Sequence, residues 1–420
     1  MRSRSQPADG PKVLIIGGGF AGLTAMHALA RSGAAVTLVD RNVYSTFQPL
    51  LYEVATAGLT AADVAYPLWS ATFRLGAHYR KGELASLDLD RRVATLDTGE
   101  ELSYDYLIIA TGVSAAFFGV PGAAEHALSL YTRRDAVTLR NALMDALESR
   151  NEGLTDPDVD ITVVGGGATG VELAGALAEL RNFALAAVYP NIDRSMFHVR
   201  LIEMGTALLA PYNRKLRDYT RQQLVNRGVE VMLGTAIKEV RADSVLLADG
   251  SERRSDITVW AAGVAGPDAG WTRALPRGKG GRIEVGADLK VIGQDRVFAA
   301  GDIAINSAEP VPQLAQPALQ EGKHAGEQVA RLLSGMPTEP YSYHDKGIMA
   351  TIGRQSAVVQ LPSGLRLRGT LAWLAWLGLH LFYLLGNRNR VVTLFNLAWR
   401  YFTWSRGGGI IVGDDAPGRD

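Results

Sequence analysis

A strand, a glycine-rich turn and a helix follow one another twice in this chain, and this repeat constrains the fold more than any other feature. In the first copy, the apolar run KVLIIG (12–17) leads into a G-x-G-x-x-G motif over residues 17–22 and then a helical stretch. The next apolar run, AVTLV (35–39), ends at Asp40, 23 residues after the first glycine. This order of elements predicts a dinucleotide-binding βαβ unit.

The second copy has the same order over a longer stretch of chain. DITVV (160–164) precedes G-x-G-x-x-G at 165–170 and a helical run, and HVRLI (198–202) ends at Glu203. The first glycine and this acid are 38 residues apart, against the usual ~20. This long spacing predicts that residues 181–195 form an added helix and loop. The repeated order of elements indicates an internal duplication.

Each glycine of the motif has its own task. The first permits a tight turn, the second lets the backbone approach a pyrophosphate, and the third lets helix and strand pack together. The phosphates then meet the unpaired N–H groups at the helix N-terminus. The acid ending the next strand accepts from a ribose hydroxyl, so Glu203 favours NADH over NADPH. The predicted dinucleotide contacts are Gly17, Gly19, Gly22 and Asp40 in the first copy, and Gly165, Gly167, Gly170 and Glu203 in the second.

Composition excludes several other functions. The chain has no cysteine, which removes disulfide frameworks, thiolate metal sites, iron–sulfur clusters and dithiol catalysis. Its 43 basic and 43 acidic residues balance, so the whole chain offers no basic surface for nucleic acid. We find no nucleophile motif or metal-ligand spacing, and expect no metal site.

Two further patterns point to a family. Apolar strands end at Ala110-Thr111-Gly112 and Ala261-Ala262-Gly263, each after a predicted β-meander, and a late strand ends at Gly301-Asp302. With the two βαβ units, these features resemble the glutathione-reductase-like flavoproteins. The resemblance implies an α/β fold with two Rossmann-like dinucleotide-binding domains, the first for FAD and the second for NAD(P)H.

The resemblance also implies domain limits and cofactor residues. The FAD-binding domain would be discontinuous, 11–118 and 285–345, with the NADH-binding domain at 119–284 and a C-terminal domain at 346–420. Non-covalent FAD would contact Gly17, Gly19, Phe20, Gly22, Asp40, Thr111, Gly112, Gly301 and Asp302. NADH would contact Gly165, Gly167, Gly170, Glu172, Glu203 and Gly263.

Most members of that fold use cysteines, and the branch that needs none is the type II NADH dehydrogenases (NADH:quinone oxidoreductases). Residues 45–59, 315–320 (AQPALQ) and 346–354 (KGIMATIGR) resemble segments of that branch. The resemblance implies hydride transfer from NADH to flavin, and two electrons passed to a membrane quinone, either ubiquinone or menaquinone. It assigns Gln316, Gln320 and Lys346 to the quinone site. Glu321, where relatives often carry Gln, would then add a charge near the quinone entrance.

Glu172 lies two residues after the last glycine of the second motif, in the first turn of its helix. A carboxylate is favoured there by the helix dipole alone. The family position suggests instead that Glu172 faces the nicotinamide end of NADH, where it helps place the substrate or relays a proton. The predicted catalytic residues are therefore Glu172, Gln316 and Gln320.

The C-terminal region predicts amphipathic helices at about 369–405. LAWLAWLGLHLFYLL (371–385) would be roughly 22 Å long as a helix, short of a ~30 Å bilayer core. Four of the seven tryptophans fall between residues 373 and 404, beside several arginines. Helices lying in one leaflet suit this pattern better than a spanning helix, and contact with a second copy in a homodimer is compatible with it.

Charge is divided unevenly along the chain. Residues 346–413 hold eight basic and no acidic residues, which leaves a net charge of −8 on the rest. A basic foot suits an anionic membrane surface, and we expect the cytoplasmic face of a bacterial inner membrane, with a mitochondrial inner membrane as the alternative. Two other functions stay open: an NAD(P)H-dependent flavoprotein reductase of another acceptor, and an NADH-binding interaction protein like apoptosis-inducing factor.

Overall fold

The computed structural model describes residues 10–403, with side chains described as far as residue 397. The chain forms two compact units. The first unit contains residues 1–45, 66–114 and 264–345, and the second contains residues 46–65, 115–263 and 346–420. Trp404 and Arg406, and the side chains of Trp399 and Arg400, lie outside the described part.

The first unit is built on a five-stranded parallel sheet. Its strands lie in the order Val297–Ala299, Tyr106–Ile109, Lys12–Ile16, Ala35–Asp40 and His78–Lys81. Branched apolar residues dominate the central strands and are buried, as expected for a sheet covered on both faces. Its helices are Phe20–Leu29, Leu68–Leu75 and Ala315–Leu333.

The second unit repeats this plan. Its parallel sheet has the order Ala127–Ser129, Ile257–Trp260, Val159–Val164, Phe197–Glu203 and Val229–Leu233. Its helices are Leu51–Ala55, Ala123–His126, Arg133–Asn151, Ala168–Glu179, Leu185–Val188, Arg214–Asn226, Thr370–Tyr383 and Asn387–Thr403. The predicted insertion at 181–195 contains one wide helical turn, Leu180–Ala184, and the short helix Leu185–Val188.

Each unit carries the predicted antiparallel meander. In the first unit its strands are Leu84–Asp88, Val93–Leu96 and Glu101–Ser103. In the second unit they are Ile237–Val240, Ser244–Leu247 and Glu252–Arg254. The other short strands are Tyr44–Thr46, Ala65–Pro67, Ser114–Ala115, Val264–Ala265, Ile283–Glu284 and Ala304–Ile305.

Glycines let other elements approach the two motif helices closely. A Cβ atom at Gly322 would lie 2.1 Å from the Ala21 carbonyl oxygen, so helix Ala315–Leu333 packs backbone to backbone on helix Phe20–Leu29. A Cβ atom at Gly175 would lie 2.3 Å from the Ile352 carbonyl oxygen. The second motif helix is therefore covered by a strand.

That strand belongs to the C-terminal region, whose antiparallel sheet consists of Ile348–Gly353, Ser356–Gln360 and Arg366–Gly369. The helices Thr370–Tyr383 and Asn387–Thr403 follow it. Within residues 10–403, no helix combines the length and apolar character that a membrane span requires.

Candidate functional site

The first glycine turn closes against the acid at the end of the neighbouring strand. The Gly17 N–H donates to the Val39 carbonyl oxygen at 2.7 Å, and the Gly18 N–H donates to Asp40 Oδ2 at 2.7 Å. Asp40 Oδ1 accepts from the Asn42 N–H at 2.7 Å. Burial raises the pKa of Asp40, and these two N–H donors oppose the shift.

The glycines of this turn differ in how much space a side chain would have. Gly17 has a φ of +108°, and a Cβ atom at Gly22 would lie 1.8 Å from the Gly17 carbonyl oxygen. A Cβ atom at Gly19 would have no neighbour within 4 Å, and no side chain caps the helix that begins at Phe20. The N–H groups of the first helical turn are therefore open to a phosphate group.

The second glycine turn has the same construction. The Gly165 N–H donates to the Ile202 carbonyl oxygen at 2.8 Å, and the Gly166 N–H donates to Glu203 Oε2 at 2.6 Å. Glu203 Oε1 accepts from the Gly205 N–H at 2.6 Å. Despite the longer gap in sequence, Glu203 is placed against its turn as Asp40 is against the first.

The glycines of the second turn also have the same surroundings. A Cβ atom at Gly170 would lie 1.9 Å from the Gly165 carbonyl oxygen, whereas one at Gly167 would have no neighbour within 4 Å. Gly263, at the end of a neighbouring strand, accepts from the Ala116 N–H at 3.0 Å and lies against the exposed ring of Phe118.

Four predicted flavin contacts follow two neighbouring strands of the first sheet, at the edge where parallel strands present their carboxyl ends. Thr111 and Gly112 follow strand Tyr106–Ile109, and the Gly301–Asp302 turn follows Val297–Ala299. Thr111 Oγ1 is buried and has no hydrogen-bond partner among the described residues. A buried hydroxyl of this kind requires a polar partner, and the cradle fits the dinucleotide that the resemblance implies.

A buried carboxyl group lies behind this edge. Glu321 is 4 % exposed, and its Oε2 accepts from the Gly301 N–H at 2.7 Å. Burial raises the pKa of Glu321 to about 7, although the Gly301 N–H and the nearby Arg282 oppose the shift. The Arg282 Nε donates to the Asp302 carbonyl oxygen at 2.9 Å. Glu321 is thus an internal group and not a surface charge.

Glu172 lies on the second motif helix in an apolar setting. Its Oε1 accepts from the Thr351 N–H at 3.2 Å. Desolvation raises the pKa of Glu172 to about 8; the Thr351 N–H and the Trp376 indole oppose the shift, and the charge of buried Glu53 adds to it. The Trp376 Nε1 makes no hydrogen bond of good geometry to a described residue. Glu172 therefore holds its proton at neutral pH.

Aromatic rings surround Trp376. It stacks on His380 at 4.1 Å between centroids, and the Tyr52 ring lies 6.2 Å away. His380 also meets Phe47 edge-on at 6.2 Å, and burial lowers the pKa of His380 to about 4. The C-terminal helix Thr370–Tyr383 thus contributes neutral aromatic side chains close to Glu172.

The predicted quinone residues have different environments. Both ends of the Gln320 amide make hydrogen bonds, since its Nε2 donates to the His344 carbonyl oxygen and its Oε1 accepts from the His344 N–H, both at 3.0 Å. The Gln316 side chain makes no hydrogen bond within the described part. Lys346 is exposed and belongs to the second unit.

Sequence reasoning missed the partners of two groups. Charged residues are normally exposed, so the sequence did not lead to the prediction that Arg282 and Glu321 are both buried at the Gly301–Asp302 turn. The neighbourhood of Glu172 and Trp376 joins positions more than 200 residues apart. A charged residue inside an otherwise apolar helix face was the available signal for Glu321.

Comparison with known proteins gives consistent results. Residues 11–322 match the family model described as pyridine nucleotide-disulphide oxidoreductase. The type II NADH:quinone oxidoreductase Ndh of Mycobacterium tuberculosis is 34% identical over 423 residues, covering 96% of this chain and 90% of that protein. NdhA of the same organism is 36% identical over 412 residues, covering 92% and 86%.

Solved structures share the fold. The structure of NDH2 from Plasmodium falciparum in complex with NADH superposes with a TM-score of 0.86 at 19% identity, over 96% of this chain and all of that one. A sulfide:quinone oxidoreductase from Aquifex aeolicus superposes with a TM-score of 0.75 at 18% identity, over 94% and 96%.

Proposed function

Because the chain belongs to the pyridine nucleotide-disulphide oxidoreductase family and, within it, to the type II NADH:quinone oxidoreductases, we propose that it oxidises NADH and reduces a quinone, using FAD and without pumping protons. One observation supports the proposal independently of the similarity to known proteins: two glycine turns with matching hydrogen bonds occur in one chain that has no cysteine. Such a chain has no thiol route for electrons between its two cofactors.

The first unit holds FAD in this proposal. When bound, FAD would supply the acceptor for a hydride from NADH and the donor of two electrons to the quinone, and the protein supplies position and electrostatics. Asp40 accepts from the adenosine ribose, the turn beginning at Gly17 receives the pyrophosphate, and Asp302 accepts from the ribityl chain. The remaining contacts are Gly19, Phe20, Gly22, Thr111, Gly112 and Gly301.

The second unit holds NADH. Glu203 accepts from the adenosine ribose, and the next six residues, MGTALL, include no basic side chain to receive a 2′-phosphate. A phosphate there would face a carboxylate without a counterion, which favours NADH over NADPH. Gly165, Gly167 and Gly170 receive the pyrophosphate, and Gly263 contacts the nicotinamide end.

Glu172 faces the nicotinamide end of NADH in this proposal. Of its two predicted roles, placing the substrate or relaying a proton, its raised pKa and its neighbour Trp376 support the relay of a proton, which would serve quinone reduction. Gln316 donates to a quinone carbonyl oxygen, since its amide is not engaged elsewhere in the described part. Gln320 contributes to the same site by holding the backbone of His344. The family resemblance also assigns Lys346 to the binding of quinone.

The C-terminal helices attach the enzyme to a membrane surface. On helix Asn387–Thr403, polar residues point into the protein: the Asn389 Nδ2 donates to the Ala65 carbonyl oxygen at 2.8 Å, and the Asn396 Nδ2 donates to Asp63 Oδ2 at 3.2 Å. Val391, 67% exposed, and Leu394, 50% exposed, point outward. The buried face of this helix carries Asn389 and Asn396 beside the apolar Leu397, and Val391 and Leu394 are exposed. Exposed apolar residues opposite inward-pointing amides are unusual for a surface helix and fit a lipid interface.

Helix Thr370–Tyr383 presents apolar residues in the same way, with Leu371 70% exposed and Phe382 67% exposed. The basic, acid-free stretch 346–413 suits anionic lipid. The same surface can bind a second copy in a homodimer. We place the enzyme on the cytoplasmic face of a bacterial inner membrane, where soluble NADH and a membrane quinone both reach it.

The test of function uses protein purified in detergent. We expect a flavin absorption spectrum that NADH bleaches, NADH turnover with a soluble ubiquinone or menaquinone analogue, and much slower turnover with NADPH. Turnover with soluble acceptors but with no quinone would favour the general reductase. Tight NADH binding without turnover would favour the interaction protein.

The test of attachment uses vesicles containing anionic lipid. Leu394→Glu combined with Val391→Glu should release most of the protein from sedimenting vesicles while ferricyanide reduction by NADH stays intact. Val225→Glu changes an exposed apolar residue on helix Arg214–Asn226 and serves as the matched control. Equal vesicle binding by all three proteins would rule out the anchor.

A further inference from the structure

Glu321 is a charged residue enclosed in the first unit. It lies in the second turn of helix Ala315–Leu333 and is 4 % exposed. Its Oε2 accepts from the Gly301 N–H at 2.7 Å. Enclosing a carboxylate is costly unless its contacts replace the lost water, so such a group is retained where it has a specific task.

Helix packing determines where this carboxyl group lies. Gly322 and Gly326 let helix Ala315–Leu333 approach helix Phe20–Leu29, since Cβ atoms there would lie 2.1 Å from the Ala21 and 2.5 Å from the Ala25 carbonyl oxygens. With two backbones in direct contact, Glu321 has little freedom to move away from the Gly301–Asp302 turn. The hydrogen bond to Gly301 is therefore held in place by the surrounding structure.

Arg282 holds the other side of the same turn. It is 7 % exposed, and its Nε donates to the Asp302 carbonyl oxygen at 2.9 Å. The Gln313 Nε2 donates to the same oxygen at 3.2 Å. One buried anion thus engages the N–H on one side of the turn, and one buried cation engages the C=O on the other.

We propose that Glu321 is a positioning residue of the flavin site, whose carboxylate, with Arg282 as its counterion, holds the Gly301–Asp302 turn in the shape that binds FAD. The proposal rests on the function above, in which this turn contacts FAD. Ionised Glu321 accepts a charge-assisted hydrogen bond from Gly301, which is roughly twice as strong as the bond to a neutral carboxyl group. FAD is therefore held more firmly when Glu321 is ionised.

The groups facing Glu321 set the pH at which this happens. Arg282 favours the ionised form and Asp302 opposes it, while burial raises the pKa to about 7. Tyr341 also faces it, and burial, together with the charge of Glu321, raises the pKa of Tyr341, which stays neutral. On helix Phe20–Leu29 the titratable residue is His27, which is exposed and bonds back to the Leu23 carbonyl oxygen. FAD retention should therefore change between about pH 6 and 8.

The test measures how fast FAD leaves diluted holoenzyme, from the recovery of free-FAD fluorescence. We expect wild-type release to be roughly fivefold slower at pH 8 than at pH 6. Glu321→Gln keeps an acceptor for the Gly301 N–H but removes the charge, so its release should be fast and independent of pH. Glu327→Gln changes an exposed carboxylate on the same helix and should release FAD as the wild type does.

A pH profile for Glu321→Gln identical to that of the wild type would overturn the proposal. Glu321→Leu removes the acceptor altogether and should release FAD about tenfold faster than wild type at pH 8; release at the wild-type rate would also count against it. A wild-type protein that carries no FAD would contradict the proposed function instead, so the two failures are distinguishable.

Discussion

In the first unit the Gly18 N–H donates to Asp40 at 2.7 Å, and in the second the Gly166 N–H donates to Glu203 at 2.6 Å. The second carboxylate oxygen of each acid accepts from the backbone N–H two residues further on. A Cβ atom added to the third glycine would lie 1.8 Å from the carbonyl oxygen of the first glycine in one motif and 1.9 Å from it in the other. The longer side chain of Glu203 thus makes the same contacts as Asp40, and the backbone construction is common to both units.

The units differ two residues after the third glycine. In the first unit this residue is Thr24, whose Oγ1 donates to the Phe20 and Ala21 carbonyl oxygens at 2.9 and 3.0 Å. In the second unit it is Glu172, whose carboxyl group reaches the Thr351 N–H. The two turns thus share one backbone construction, while the side chains two residues after the third glycine make different contacts.

The strongest test of the common construction replaces the third glycine of each motif. Gly22→Ala and Gly170→Ala each add a Cβ atom less than 2 Å from a carbonyl oxygen, an overlap that costs about 1–3 kcal/mol or more. We expect Gly22→Ala to lose FAD absorbance, and Gly170→Ala to keep FAD but lose its reduction by NADH. If either variant kept both its FAD absorbance and flavin reduction by NADH, the third glycine would not have the same role in the two units.

The second glycine provides the matched control. A Cβ atom at Gly19 or Gly167 meets no protein atom within 4 Å, so Gly19→Ala and Gly167→Ala should keep the wild-type melting temperature. Each methyl group takes space that the pyrophosphate needs, so the corresponding nucleotide should bind less tightly.

A smaller effect is expected from the acids. Asp40→Asn and Glu203→Gln keep the shape but turn an NH2 group towards one of two N–H donors, which costs about 1–3 kcal/mol. Asp40→Asn should weaken FAD binding. Glu203→Gln should raise the KM for NADH roughly 10- to 100-fold and reduce the preference of the enzyme for NADH over NADPH. Glu230→Gln, on the adjacent strand, is the control; a wild-type KM in Glu203→Gln would contradict the ribose assignment.

The smallest effect concerns the residue at which the units differ. Glu172 has a pKa of about 8 against an ordinary value of 4.5, so between these values the folded protein retains a proton that the unfolded chain releases. Stability therefore falls as the pH rises through this window, and Glu172→Gln removes the fall. We expect the variant to melt about 2–5 °C above wild type at pH 8 and equally at pH 4.

Activity provides the second readout for Glu172. Quinone reduction should decline in the wild type as the pH rises through about 8, and should be slow and flat in Glu172→Gln, with ferricyanide reduction unchanged. The control is Glu152→Gln, which changes an exposed carboxylate in the loop before strand Val159–Val164 and should match the wild type in both measurements. A wild-type pH profile in Glu172→Gln would leave this residue with a structural role alone.

The sequence allowed the two βαβ units, their order and their terminal acids to be predicted, because each is encoded within about 40 residues by strand, turn and helix patterns. The predicted family was confirmed by the comparisons. The environment of Gln320 could not be predicted, since its partner His344 lies across a turn after the helix. The sequence also did not predict that residues 46–65, and the chain from Lys346 onwards, belong to the second unit.

By itself the sequence determined the duplicated α/β scaffold and the absence of thiol chemistry, since turn glycines, buried strands and missing cysteines are local facts. Only the tertiary structure decided which carboxyl groups retain protons near neutral pH. The helical sequences around Glu172 and Glu321 do not show how deeply these carboxyl groups are buried, and their raised pKa values arise from desolvation by elements distant in the chain. Burial is a property of the folded neighbourhood, so it becomes visible only when the elements have packed together.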